Sequence, residues 1–154
     1  SAGAHLALAL ALREQQGGVA PDALIFLYGV FGADFDTPSY RRFAQGYGLT
    51  RERMIKFFRW YAPAPDLRDP CLVPLAASDA ALARLPPICL NAAGVDPLRC
   101  DSLALVARLE RIGHPHRFAL HEGLHHAFHQ MSAKLPAARD AVAMIGDWLD
   151  ESGL

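Results

Sequence analysis

Residues 87–113 read PICLNAAGVDPLRCDSLALVARLERIG, and the fold turns on this stretch. Pro87 to Gly94 is an unbroken apolar run of strand length, the pattern of a strand covered on both faces. Asp96-Pro97 closes the run. From Leu98 to Ile112 the pattern becomes helical. Leu103, Val106 and Leu109–Ile112 form one side, with Arg99, Arg108, Glu110 and Arg111 elsewhere, and Gly113 supplies the stop. His116 to His121 (HRFALH) then alternates and reads as another strand. Strand, amphipathic helix, strand is a βαβ unit, which requires a parallel sheet.

Outward from this unit the same logic continues. Ala23 to Tyr28 (ALIFLY) is a second buried apolar run, and therefore the first strand in chain order. Residues 2–16 alternate Leu and Ala but hold no β-branched residue. Ala and Leu are the best helix formers, so a buried helix is expected there, ending in a polar turn before Gly17-Gly18. Phe31 to Pro38 reads as loop. Ser39–Gln45 and Thr50–Tyr61 read as helices, the second with Thr50 as N-cap and with Met54, Phe57, Phe58 and Tyr61 on one face. The prolines between Ala62 and Pro74 predict irregular chain, and Pro136–Leu149 predicts a last amphipathic helix. The sum is an α/β fold, its parallel strands covered by helices on both faces.

Composition narrows the function classes. The 154 residues, 52% apolar and 20% charged, suit one domain with a sizeable core and exclude disorder. Fifteen basic against sixteen acidic residues leave a net charge of −1, which excludes the basic footprint of a nucleic-acid binder. The longest apolar run, Ala23 to Phe31, is too short to span a bilayer, and no segment has the order of a signal peptide. Cys71, Cys89 and Cys100 make no CxxC pair; Cys89 reads as a small core residue. A cytoplasmic protein without structural disulfides is expected.

In a parallel sheet, functional loops collect at the C-terminal strand ends. Asp96 follows the second strand, His126 lies beyond the third, and Ser1 opens the first helix. A hydroxyl, a carboxylate and an imidazole thus occur in the order used by α/β-hydrolases. A Ser hydroxyl becomes a nucleophile when an imidazole takes its proton, and a carboxylate fixes the imidazole tautomer and stabilises the imidazolium. A helix N-terminus adds backbone N–H groups facing a developing oxyanion.

The surrounding residues carry a specific resemblance. Ser1-Ala2-Gly3-Ala4-His5-Leu6-Ala7-Leu8-Ala9 resembles the second half of a nucleophile elbow, Gly-Asp-Ser-Ala-Gly, with its helix. Asp96-Pro97-Leu98-Arg99, followed by Asp101-Ser102, resembles the Asp-Pro-Leu motif of the hormone-sensitive-lipase-like esterases. Gly123-Leu124-His125-His126-Ala127-Phe128 resembles their Gly-x-x-His-Gly/Ala-Phe motif. Tyr28-Gly29, Ser39-Tyr40, Leu49-Thr50 and Pro86-Pro87 match in order, and the likeness to the bacterial acetyl esterase branch covers almost the whole chain.

The resemblance implies that Ser1 is the nucleophile, Asp96 the orienting carboxylate and His126 the general base. It makes the Ala2 N–H one oxyanion donor. It implies that residues 1–154 are the C-terminal portion of an α/β-hydrolase catalytic domain, with residues 39–61 contributing to a cap. Tyr28, Phe57, Phe58, Tyr61 and Phe128 are the expected pocket residues. The implied reaction is hydrolysis of small, short-chain acyl esters through an acyl-enzyme, with no metal and no organic cofactor. The implied partner is an upstream half of the same fold, on the same or a separate chain, carrying the first strands and further oxyanion donors. Without that half the Ala23–Tyr28 strand has an open edge, so activity is expected to depend on it. A homo-oligomer is compatible with the family.

Other readings of the same residues stand beside this one. Asp101 is a rival carboxylate, though it falls inside the predicted helix. His121-Glu122-Gly123-Leu124-His125 matches the HExxH zinc signature, which requires both imidazoles on one helix face, whereas here a strand pattern and a central Gly run through it. A Ser at a true N-terminus can use its own amine as base. An inactive hydrolase remnant serving as a binding module, or a peptidase of the same fold, completes the set. His125 and His129 are expected to be solvated or at a pocket edge, and His5, His114 and His116 to be surface or hydrogen-bonded histidines.

Overall fold

The computed structural model describes residues 1–15, 17–18 and 20–153. Strands β1 (Leu24–Leu27), β2 (Ile88–Val95) and β3 (His116–His125) form a parallel sheet in the order β1-β2-β3. The register runs Leu24↔Ile88 to Leu27↔Asn91, and Ile88↔His116 to Ala93↔His121. Helices α1 (Ala2–Glu14), α2 (Pro38–Arg42), α3 (Arg51–Tyr61), α4 (Asp79–Leu82), α5 (Arg99–Arg111) and α6 (Pro136–Glu151) connect and cover it.

The alternation of side chains along each strand builds two cores. Leu24, Phe26, Ile88, Leu90 and Ala92 point to one face, where they meet Leu8 and Leu12 of α1 and Leu105 and Leu109 of α5. Ala93 points to the other, where Ala138 and Ala141 of α6 pack with Tyr28 and Phe128. This is the expected α/β fold, a parallel sheet with helices on both faces. No helix among the described residues is long and apolar enough to cross a membrane.

Several boundaries differ from the sequence reading. α1 ends at Glu14, and the expected last residue of that helix, Gln16, lies outside the described residues. α2 is shorter than 39–45. In α5 the buried face is Asp101, Ser102, Leu105, Val106 and Leu109, so Leu103 turns outward, a turn of about 100° per residue from Ser102. Among the described residues β1 is an edge strand paired only with β2, and Ile25 is 38% exposed, so it is not covered on both faces. Pro74–Ala76 forms a 3₁₀ turn, and α4 follows with Ser78 as N-cap; neither was expected from the sequence. Thr50 does cap α3, its hydroxyl accepting from the Arg53 N–H at 3.1 Å.

β3 runs four residues beyond the predicted His121 and carries the whole of residues 121–125 as strand. The pairing shifts between Ala93 and Val95, where Val95 meets His125. Gly94 makes this possible. A Cβ there would come within 2.8 Å of the Glu122 Cα and 3.0 Å of the His121 carbonyl. The bulge redirects the chain so that residues just past β2 and β3 meet.

Candidate active site

Ser1 is the N-cap of α1, yet its hydroxyl makes no capping bond. It turns to the His126 Nε2, 3.1 Å away. Nδ1 of the same imidazole lies 2.7 Å from Oδ2 of Asp96. The other carboxylate oxygen, Oδ1, accepts the Leu98 N–H at 2.9 Å, an Asx turn that locks the carboxylate as the chain leaves β2. The Asp96 side chain is 1% exposed and that of His126 13%. A carboxylate accepts only, so Nδ1 carries the proton in the neutral ring and Nε2 presents its lone pair to Ser1. Ala2 is the first residue of α1, so its N–H has no carbonyl one turn back to bond. The Ser, Asp and His singled out in the sequence, with the Ala2 N–H, therefore meet at one point.

The support behind His126 comes from Tyr28. Its backbone is left-handed, with φ 41°, a conformation costing a non-glycine residue about 1–3 kcal/mol. It is held by an N–H bond to the Asn91 carbonyl at 2.7 Å. The Tyr28 ring lies against the imidazole of His126, centroids 4.7 Å apart. Ala127 is also left-handed, at φ 64°, which swings Phe128 inward. The chain leaving β2 is pinned as well: the Ser39 hydroxyl donates to the Pro97 carbonyl at 2.6 Å and accepts the Cys100 N–H at 3.1 Å.

An apolar cavity of about 320 Å³ opens beside Ser1. Ser1, Ala2, His5 and Leu6 form its α1 wall. Met54, Phe57, Phe58 and Tyr61 of α3 form the facing wall, with Val30 and Leu49 between. Three of the expected pocket residues, Phe57, Phe58 and Tyr61, are therefore on the cavity. Two are not. Phe128 is fully buried against Tyr28, His121 and His129, and Tyr28 stands behind His126. Tyr28 shores up the imidazole and Phe128 packs behind Tyr28, because the left-handed turns at 28 and 127 direct them into the α6 core.

The rival carboxylate is elsewhere. Asp101 accepts the Phe31 and Gly32 N–H groups at 3.0 and 2.8 Å, tying α5 to the loop after β1, and burial pushes its carboxyl up to about 6. The HExxH residues lie on a strand and lack the shared helical face that zinc needs: the His121 Nε2 bonds the Asn91 side chain at 2.7 Å, and His125 is exposed. Among the described residues no three His, Cys, Asp or Glu side chains are grouped to hold a metal.

Of the other histidines, His129 departs from its expected setting, while His5, His114 and His116 are hydrogen-bonded as expected. Both ring nitrogens of His129 are buried without a partner, and burial with the nearby His121 pulls it down to about 4. His5 and His114 are buried, bonded through one nitrogen to the carbonyls of Val30 (3.0 Å) and Leu85 (3.0 Å). His5 is the site residue that sequence reasoning missed. Its signal was the four-residue spacing from Ser1, which puts both on one face of α1.

Comparison with known proteins places the fold and the family. A family profile described as alpha/beta hydrolase fold matches residues 1–130. The chain is 30% identical over 154 residues to an ethyl acetate hydrolase of Pseudomonas putida, covering 98% of this chain and 48% of that protein. It is 35% identical over 81 residues to the hormone-sensitive lipase of Bos taurus, covering 53% of this chain and 11% of that one. It superposes on a fungal esterase from Rhizomucor miehei with a TM-score of 0.90 and 28% identity, over 97% of this chain and 47% of the other. The chain spans about half the length of the full-length esterases it matches.

Proposed function

Because the chain belongs to the α/β-hydrolase fold family, among the hormone-sensitive-lipase-like esterases, we propose that it carries the nucleophile, base and orienting acid of a serine carboxylesterase for short-chain acyl esters. The observation that carries this reading is the continuous relay from the Ser1 Oγ through His126 to Asp96, at 3.1 and 2.7 Å, beside an apolar cavity. His126 takes the proton of Ser1 as the hydroxyl oxygen attacks the ester carbonyl. The tetrahedral oxyanion forms against the Ala2 N–H, at the positive end of α1. His126 returns the proton to the leaving alkoxide, and the acyl group stays on Ser1. Water, deprotonated by the same imidazole, then releases the acid. Asp96 keeps Nδ1 protonated throughout and stabilises the imidazolium.

The cavity volume, about 320 Å³ between α1 and α3, suits a small acyl or alkoxy group. The ethyl acetate hydrolase relative supports the same size class. Residues 39–61 serve as part of a cap. An upstream half of the same fold is proposed to pair with the open edge of β1 and to add oxyanion donors.

The test uses the protein as its source makes it. A fluorophosphonate should label Ser1, 4-nitrophenyl acetate should be hydrolysed, and Ser1→Ala should abolish both. A folded protein that is neither labelled nor active would overturn the esterase reading in favour of an inactive remnant that binds.

A further inference from the structure

Resting on that esterase reading, we propose that the His5 Nε2 is the polar reader of the cavity, and that the ester taken here bears a hydroxyl about one helical turn from the reacting carbonyl. His5 sits four residues after Ser1, so the two side chains share a face of α1, about 6 Å apart along its axis. Both line the same cavity. The His5 Nδ1 is 3.0 Å from the Val30 carbonyl, and a carbonyl only accepts, so the proton of the neutral ring is on Nδ1. Nε2 is then a bare lone pair. It is buried and, among the described residues, has no hydrogen-bond partner, on a residue only 7% exposed.

The walls around it offer no remedy. Val30, Leu49, Met54 and Phe58 have no side-chain donor. Tyr61 meets the imidazole ring at 88°, centroids 5.5 Å apart, with no hydrogen bond between them. Burial also holds the imidazole below its ordinary range, so the ring is a neutral acceptor at pH 7. A buried acceptor left unpaired is penalised, and a substrate that supplies an O–H removes the penalty. One turn from Ser1, that O–H belongs on the β or γ carbon of a short acyl chain, or on the far carbon of a glycol monoester. Purely alkyl esters fill the cavity but leave the lone pair bare.

The experiment compares kcat/KM for two sets of esters. On the acyl side they are 4-nitrophenyl butyrate, 3-hydroxybutyrate and 3-methoxybutyrate. On the alcohol side they are propyl, 2-hydroxyethyl and 2-methoxyethyl butyrate. The hydroxyl member of one set should exceed both its deoxy and its methoxy partner by about tenfold or more. The methoxy ester matches it in polarity but cannot donate. In His5→Phe the ratio should fall to near one; His5→Asn carries the same reading if the Phe variant does not fold. Hydrolysis without hydroxyl preference in either set overturns the inference and leaves the esterase reading standing. A preference that survives removal of the imidazole also overturns it. Hydrolysis of none of the six overturns the esterase reading, and the inference with it.

Discussion

Asp96→Asn has an effect that the geometry fixes closely. The Asp96 Oδ1 holds the Leu98 N–H at 2.9 Å, and Oδ2 faces the His126 Nδ1 at 2.7 Å. An Asn keeps the first bond only by placing its carbonyl oxygen toward Leu98. Its NH₂ then faces Nδ1, which must become the acceptor. The ring proton moves to Nε2, the nitrogen that has to accept from Ser1. Recovering the useful tautomer means flipping the amide and orphaning the buried Leu98 N–H, about 1–3 kcal/mol. Losing the charged partner of the imidazolium costs about 1.5–3 kcal/mol more. Together these come to roughly 3–6 kcal/mol, or about 10²–10⁴ in kcat. The assay is hydrolysis of 4-nitrophenyl acetate, against Ser1→Ala as baseline and with the melting temperature as a control on folding. A folded Asp96→Asn protein that loses less than tenfold would refute the reasoning, because Asp96 would then not set the tautomer.

Two further predictions follow from burial. Burial raises the Asp101 carboxyl to about 6 from its ordinary 3.8, so the folded state holds that proton longer than the unfolded chain does. The sign is therefore that wild type loses stability as pH rises from about 4 to 6, by up to about 3 kcal/mol. Asp101→Asn, whose carbonyl oxygen can still accept from Phe31 and Gly32, should show no gain at pH 4 and its full gain at pH 8 in denaturant titrations; an equal gap at both pH values would contradict this. Phe128 is fully buried and packed on three rings, so Phe128→Ala should cost about 3–5 kcal/mol. It should leave the preference between acetate and butyrate esters unchanged, whereas Phe58→Ala, on the cavity wall, should shift it; a shift with Phe128→Ala would return that residue to the pocket.

Sequence alone determined the elements whose cause is local. The apolar runs at 23–28 and 87–94 became β1 and β2 because continuous apolar runs of strand length favour a place in a layered sheet, β2 being buried along its length and β1 on one side. The Ala/Leu run after Ser1 became α1 and Thr50 became a cap, because propensity and capping act within a few residues. The Ser, Asp and His were legible because each sits at a recognisable element end, Ser1 before α1 and Asp96 and His126 just past β2 and β3. Tertiary structure decided what depends on distant backbone. Residues 121–125 became strand because β2 offered them a pairing edge and Gly94 a bulge, not because of their own pattern. Phe128 left the pocket for the core because the left-handed Ala127 turned it toward α6. The bare lone pair on His5 exists because the loop after β1 brings the Val30 carbonyl to Nδ1. Hydrogen-bond partners 25 to 125 residues apart are set by how the layers stack, and no local pattern encodes that stacking.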